Sequence, residues 1–390
     1  SNITDIDDKI IEAAVEQNVE ISVITKKFTK IYNEDMAKLN VLAPDVQPKA
    51  TEYIPEMIDL IKELIEKDFA YEKDGHVLFH VPTYENYGKL SNRIKDEQIA
   101  GSRVDVADFK KDPADFVLWK PSTGVQPGWE SPWGIGRPGW HTECSAMSEK
   151  TLGLPLDIHG GGRDLIFPHH ENEIAQSCCT AAENSNPESY AKYWMHNGFV
   201  TIDGEKMSKS LGNIILVNEL TQKYHGEVIR LALLSTHYRQ ALDWNDNVIH
   251  QAKKLLDKLY SLLNELNDVK ESKEPDNDLI EILLDDLNTP GLMANINKLL
   301  KNAESLEEGD KPNLKSNLLL IGKLMGILED KSYNQISSEF KDKVDSLIED
   351  RSNAKKKRDF ELADKIRSEL IELGIEINDS PEGTTWKVVK

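Results

Sequence analysis

Three features of the sequence predict an α/β chain that turns all-helical and ends in a small mixed unit. A short apolar run, Pro155–His159, passes through Gly160-Gly161-Gly162 into a helical segment from Pro168 to Cys179 and then a strand-like Tyr193–Ile202. Strand, helix, strand is the order of a parallel sheet. From Gly226 onward apolar residues recur at helical spacing, joined by short polar links, as in a bundle. After a last helical segment, Gly374 leads into Ile375–Ile377, a turn at Ser380-Pro381-Glu382-Gly383, and Thr384–Val389.

Taken in order, Ile10–Val19, Ile21–Leu39 and Pro55–Phe69 read as helices, the third with Ile58, Leu60, Ile61, Leu64 and Ile65 on one stripe. His76–Val81 alternates as a strand. Residues 82–140 are rich in Pro, Gly and Trp and read as irregular insertion and loops. Pro155–His159 reads as a buried strand and the three glycines as its turn. Pro168 suits the first turn of the helix after it. The helical region comprises Val228–Ser235, Asn247–Leu266, Asp278–Leu284, Leu292–Glu304, Asn313–Leu328, Phe340–Lys357 and Asp359–Leu373. No internal repeat stands out.

At 390 residues the chain has room for two to four domains. Hydrophobic content of 39% with 29% charged residues is ordinary for a soluble protein, and no uncharged apolar run approaches a membrane span. The chain opens on Ser1 and a strand-like run with neither Met nor secretory leader, so further sequence is expected before it. Three cysteines, Cys144, Cys178 and Cys179, make no disulfide framework and point to a reducing, cytoplasmic setting. A formal net charge of -21 argues against nucleic acid when taken alone. Residues 351–370, however, carry seven Lys or Arg against four Asp or Glu, and local patches decide phosphate contact. Such a run also suits a solvated helix face.

Two segments carry chemistry. In Asp203-Gly204-Glu205-Lys206-Met207-Ser208-Lys209-Ser210-Leu211-Gly212-Asn213 two lysines three apart sit among small residues in a glycine-bounded loop. Such a loop closes both ammonium groups on a polyphosphate and stabilises charge developing on leaving pyrophosphate; otherwise it is a solvated basic turn. The second segment holds metal-ligand chemistry. His169 and Glu173, four apart, share one helix face, and Cys144 starts another helix. Thiolate, imidazole and carboxylate suit Zn2+ better than Mg2+ or Ca2+. Yet a His/Glu pair at this spacing is commonly a surface contact and a lone Cys is commonly core. His170 and Glu171 compete as ligands, and His169-His170-Glu171-Asn172-Glu173 is not an HExxH metalloprotease motif.

KMSKS at 206–210 matches the second signature of class I aminoacyl-tRNA synthetases. Together with Gly139-Trp140-His141-Thr142-Glu143-Cys144-Ser145-Ala146-Met147, Asp157-Ile158-His159-Gly160-Gly161-Gly162 and Phe167-Pro168-His169-His170-Glu171-Asn172-Glu173, it makes the chain resemble cysteinyl-tRNA synthetases. The opening Asn2–Ile11 and the closing Asp379–Trp386 resemble them too, so the likeness covers essentially the whole chain. It implies a Rossmann-type parallel-sheet catalytic domain, a helical bundle and a small mixed α/β unit. The implied divisions are a remnant of the first Rossmann half at 1–20 and a connective insertion at 21–135. The second Rossmann half follows at 136–200, the signature loop and stem-contact region at 201–245, the bundle at 246–345 and an anticodon-binding unit at 346–390.

The resemblance also implies a reaction and roles. Cysteine attacks the α-phosphate of ATP, with Mg2+, to give cysteinyl-adenylate, which passes to the terminal ribose of tRNA(Cys). One Zn2+ per chain, held by Cys144, His169 and Glu173, selects the thiol over serine, where a hydrophobic pocket discriminates weakly. Lys206 and Lys209 meet the phosphates, with Ser208 and Ser210 adding hydrogen bonds. Gly161 and Gly162 let adenosine approach the backbone. Thr4, Trp140 and His159 line the amino-acid pocket. Lys355, Arg358, Asp364 and Asp379 contact tRNA, Lys355 standing where arginine is expected in relatives, and Trp386 stacks or packs. The family's fourth zinc ligand, a cysteine, and its HIGH signature belong to sequence before Asn2; no HIGH-like string occurs in these 390 residues. The competing readings are a non-catalytic RNA-binding fragment and a mycothiol-type cysteine ligase, which resembles the same catalytic core without an anticodon unit. A monomer is the default expectation, with no membrane partner.

Overall fold

The computed structural model describes residues 1–93, 108–124, 126–181, 186–208, 211–272, 275–303, 305–333, 338–380 and 383–388. The Lys209 and Ser210 expectations therefore lie outside the described residues. The chain divides into two compact units, Ser1–Leu328 and Glu329–Lys390. The helix Ser338–Lys356 runs through the boundary expected at 345/346 and belongs wholly to the second unit.

In the first unit, Asp7 caps the Asp8–Gln17 helix by accepting from Lys9 N at 2.9 Å. The Ile21–Lys38 helix follows. The Ile54–Glu66 helix buries Met57, Leu60, Ile61 and Leu64, a stripe at helical spacing. Beside it lies a four-stranded antiparallel sheet in the order β1 (Ala70–Lys73), β2 (His76–Phe79), β3 (Phe116–Pro121) and β4 (Gly136–Pro138). Asp74 and Gly75, both at positive φ, form the two-residue turn between β1 and β2.

The irregular reading of residues 82–140 is thus corrected. β3 and β4 lie inside that stretch, and tertiary pairing makes strands of segments whose prolines and glycines hide the two-residue alternation. Gly139 precedes the Trp140–Leu152 helix, and a Cβ there would stand 2.0 Å from the carbonyl oxygen of Val117. Only glycine lets this helix begin so close to β3.

Strands β5 (Leu156–Gly162) and β6 (Ala191–Asn197) pair in parallel, with the Glu171–Thr180 helix between them in sequence. The glycine triplet, expected as a turn, instead continues β5 opposite Met195, His196 and Asn197. Backbone pairing with β6 holds it extended despite its lack of side chains. β5 is also less buried than expected, since Asp157 and Ile158 face outward. Leu64, Phe79, Leu118, Trp119, Met147 and Ile174 share one core that joins the helices to the sheets.

The strand-like Tyr193–Ile202 breaks at Gly198 into β6 and β7 (Val200–Ile202). β7 lies between β8 (Glu205–Lys206), antiparallel, and β9 (Leu242–Trp244), parallel. Helices Gly226–Leu233, Asp246–Glu265, Asp278–Leu284, Thr289–Ala303 and Lys311–Met325 follow. Buried Glu227 accepts from Tyr260 OH at 2.8 Å and Leu328 N at 2.9 Å, and Arg230 donates to the carbonyls of Leu39, Asn40 and Met325. These satisfied polar groups tie the end of the second helix to the bundle. No helix among the described residues is long and apolar enough to cross a membrane.

In the second unit, the Ser338–Lys356 and Phe360–Glu372 helices pack on a hairpin of β10 (Ile375–Ser380) and β11 (Gly383–Val388). Val344, Ile366, Leu370 and Ile375 form its core.

Candidate metal centre and signature loop

The candidate centre is assembled by three elements. The Trp140–Leu152 helix carries Trp140, His141, Glu143 and Cys144. β5 carries His159. His169 and Glu173 stand at the entry to and in the first turn of the Glu171–Thr180 helix, where four-residue spacing aligns them. The ligand atoms of Cys144, His169 and Glu173 all lie within 4.8 Å of one another. Among the described residues a second triple, His159, His170 and Glu173, meets the same test and shares Glu173. Only the first contains sulfur. The three also line a cavity of about 650 Å³ together with Thr4, Trp140 and His159.

Glu173 is fully buried. Its Oε2 lies 2.9 Å from His159 Nε2 and accepts from Tyr190 OH at 3.2 Å. Its Oε1 lies 2.8 Å from His169 Nε2 but outside hydrogen-bond alignment, so this buried oxygen has no hydrogen-bond partner. An orphaned buried carboxylate oxygen against an imidazole nitrogen is what two ligands of one cation present. The residues present therefore fit a bound metal ion, and the S/N/O donor set fits zinc chemistry.

The surrounding groups prepare those donors. His169 Nδ1 lies 2.8 Å from His141 Nδ1. Burial, then the neighbouring His169, push the His141 pKa down to about 3, so it is neutral and able to accept. With Nδ1–H donating to His141, His169 Nε2 keeps the lone pair a ligand needs. Burial pushes Glu173 up, but the adjacent imidazoles of His159 and His169 outweigh it and hold the carboxyl well below its usual range. Burial, with the charges of Glu173 and Glu143, holds the Cys144 thiol well above its ordinary value. A bound cation would reverse that balance and favour the thiolate. Asn2 Nδ2 contacts Cys144 Sγ at 3.5 Å.

Gly161 and Gly162 lie at the C-terminal end of β5. A Cβ on Gly161 would stand 3.0 Å from His170 Cε1 and 3.0 Å from Leu165 Cδ1, so the His170 ring already packs on that glycine. His170 Nδ1 meets His196 Nε2 at 2.8 Å. His141, Tyr190 and His196 were not singled out by sequence reasoning, which named His170 only as a competing ligand. Only His141 carried a signal, as neighbour to Trp140; the others are brought in by tertiary packing.

In the signature loop, Asp203 and Gly204 have positive φ and turn β7 into β8. Lys206 Nζ lies 5.7 Å from the Phe199 ring centroid. Ser208 N donates to Asn213 Oδ1 at 2.8 Å.

In the second unit, Lys355, Arg358 and Asp364 are exposed, with Arg358 at φ 59°. Asp379 accepts from both guanidinium nitrogens of Arg351 at 2.9 and 3.0 Å, from Lys355 at 2.8 Å and from Thr384 Oγ1 at 2.7 Å. Hydrogen bonds from Arg351, Lys355 and Thr384 hold its carboxyl far below the usual range. Trp386 packs on the unit's core, with its indole N–H donating to Asp345 at 2.8 Å.

The model of the family "tRNA synthetases class I (C) catalytic domain" matches residues 1–254. The chain is 54% identical to the cysteine–tRNA ligase of Parvibaculum lavamentivorans, over 99% of this chain and 84% of that protein. It is 49% identical to the cysteine–tRNA ligase of Saccharophagus degradans, over 99% of this chain and 85% of that protein. A methionyl-tRNA synthetase of Mycobacterium tuberculosis in complex with methionyl-adenylate superposes with a TM-score of 0.51 at 15% identity, covering 81% of this chain and 79% of that one. That likeness supports the class I fold, Rossmann-type α/β with helical units. Sequence identity at this level over nearly the whole length shows that the chain belongs to the cysteine–tRNA ligases, within the class I aminoacyl-tRNA synthetases.

Proposed function

We propose that this protein is a cysteine–tRNA ligase acting in the cytoplasm as a monomer. It joins cysteine to ATP with Mg2+, forming cysteinyl-adenylate and pyrophosphate, and transfers the cysteinyl group to the terminal ribose of tRNA(Cys). The convergence of Cys144, His169 and Glu173 in the cavity shared with Thr4, Trp140 and His159 carries this reading. Zinc held by those three residues would supply a bond to the substrate's sulfur, which the oxygen of serine matches poorly.

The protein's own groups do the rest by positioning and charge. His141 holds His169 with its ligating nitrogen free. Tyr190 and His159 fix the carboxylate of Glu173. Thr4 and Trp140 bound the amino-acid pocket. Lys206 and Lys209, with Ser208, stabilise the charge that grows on the leaving pyrophosphate, and Gly161 and Gly162 face the nucleotide. In the second unit, Asp379 and Arg351 brace the hairpin, and Lys355, Arg358 and Asp364 meet the tRNA anticodon.

The deciding experiment is ATP–pyrophosphate exchange by the full-length protein with cysteine and with serine, with metal measured on the same sample. Exchange with cysteine alone and about one zinc per chain are expected. Equal exchange with serine, or full selectivity in a metal-free sample, defeats the proposal.

A further inference from the structure

The chain on either side of Lys206 is anchored by two side chains that lie outside the five signature residues. β8 is only two residues long and sits at the edge of its sheet, ending at Lys206. Beyond it, Asn213 does what a neighbouring strand would do. Its Oδ1 accepts from Ser208 N at 2.8 Å, as a backbone carbonyl does, and its Nδ2 donates to the Lys206 carbonyl at 3.3 Å, as a backbone amide does. Gly212, at φ 65°, turns the chain so that Asn213 comes back against the start of the loop. At the other end, Asp243 on β9 accepts on Oδ1 from Gly204 N at 2.6 Å and Thr201 Oγ1 at 2.8 Å, while Asn245 Nδ2 holds its other oxygen at 3.1 Å.

We propose that Asn213 is a positioning residue for the phosphate-binding lysines, with Asp243 as its counterpart at the base of the hairpin. The inference rests on the proposed adenylate-forming role of the loop. Asn213 acts by fixing the backbone from Lys206 to Ser208, so that the lysine side chains present charge without first ordering the chain that bears them. Ordering a residue costs about 1–2 kcal/mol in backbone entropy, and a loop that must order itself in the transition state loses that from the rate. Asparagine suits the position because one planar amide offers a donor and an acceptor together. Alanine offers neither, and aspartate keeps only the acceptor while adding negative charge beside the lysines.

The test uses the full-length protein and two readouts. First, trypsin nicking after Lys206, which needs no catalysis, should run about tenfold faster in Asn213→Ala, with Asn213→Asp in between. Second, Asn213→Ala should lower kcat for ATP–pyrophosphate exchange about tenfold with KM for cysteine within about twofold, and the loss should shrink on a Lys209→Ala background to the part that acts through Lys206. An unchanged nicking rate, or an undiminished loss on that background, overturns the proposal. Should the alanine variant fail to fold, Asn213→Asp alone decides by the same two readouts. If the unsubstituted protein shows no exchange with cysteine, the ligase reading fails, and nicking still settles whether Asn213 holds the loop.

Discussion

Glu173 and Asp379 are both carboxylates held well below their ordinary pKa, by opposite means. Glu173 is fully buried and faces His159, His169 and the Tyr190 hydroxyl. Asp379 is 45% exposed and faces Arg351, Lys355 and Thr384. The cations around Asp379 are permanent, and water and salt share the work, so the cluster shapes the hairpin at small net energy. The partners of Glu173 are imidazoles, which carry charge only when protonated. A buried carboxylate with no permanent cation is costly to maintain, and that cost makes sense where a metal ion completes the set. On the proposed reading, the difference separates a carboxylate built for chemistry from one built for shape.

Several substitutions can break that contrast. The largest effect is expected from Glu173→Ala. Leaving the buried imidazoles without their partner should cost about 3–5 kcal/mol in a denaturant melt of the metal-free protein, with loss of bound zinc by elemental analysis and of cysteine-dependent exchange. Wild-type metal content in a folded Glu173→Ala sample would remove Glu173 from the ligand set. Lys209→Ala should lower kcat for exchange by about 10²–10³-fold, the size of a lost transition-state charge contact, with KM for cysteine nearly unchanged. Cys144→Ser should release the metal and lower the cysteine-to-serine preference by about 10²-fold. Preserved selectivity would point to the sulfur-free triple with His159 and His170. The smallest effect belongs to Asp379→Asn, about 1 kcal/mol or less and shrinking with added salt. It should raise KM for tRNA while leaving pyrophosphate exchange untouched.

A pH series sharpens the same comparison. Burial, followed by the neighbouring His169, depresses His141 to about 3; burial is also the leading cause that brings His170 to about 3. A histidine depressed on folding binds more protons in the unfolded chain, so stability is present above its unfolded value near 6.5 and is lost as pH falls toward 3. Each such group contributes at most about 1.4 kcal/mol per pH unit in that window. Glu173, depressed from a carboxylate value near 4.3, adds a loss only below that point. The first unit of the metal-free protein should therefore weaken between pH 6.5 and 4.5, where Asp379 in the second unit stays ionised. A flat melt across that range would show that the imidazoles are not held neutral.

Much of this was legible in the residues alone, for physical reasons that also mark the limits. Helices announce themselves by apolar spacing, so Asp278–Leu284 falls where periodicity puts it. Strand β3 does not, because Phe-Val-Leu-Trp-Lys-Pro is short and lacks clean alternation, and only its neighbours make it a strand. The glycines after His159 looked like a turn, since glycine favours turns by itself, yet pairing with β6 outweighs that preference. Cys144, His169, Glu173, Trp140 and His159 were named from residue type, spacing and family likeness, and the fold brings them to one cavity. Tyr190, His196 and Arg351 were not, because nothing local distinguishes a supporting side chain from ordinary core or surface.

The Trp140 ring stands 4.3 Å from the His169 ring and 5.3 Å from the His141 ring. An indole in that position is an optical reporter supplied by the protein itself. Protonating the adjacent imidazole or loading it with a cation changes the electric field at the indole and hence its emission, so titrations of metal, acid and cysteine can be followed by light, with Trp140→Phe as the control that subtracts the signal of the other tryptophans, Trp194 beside His159 and His170 among them.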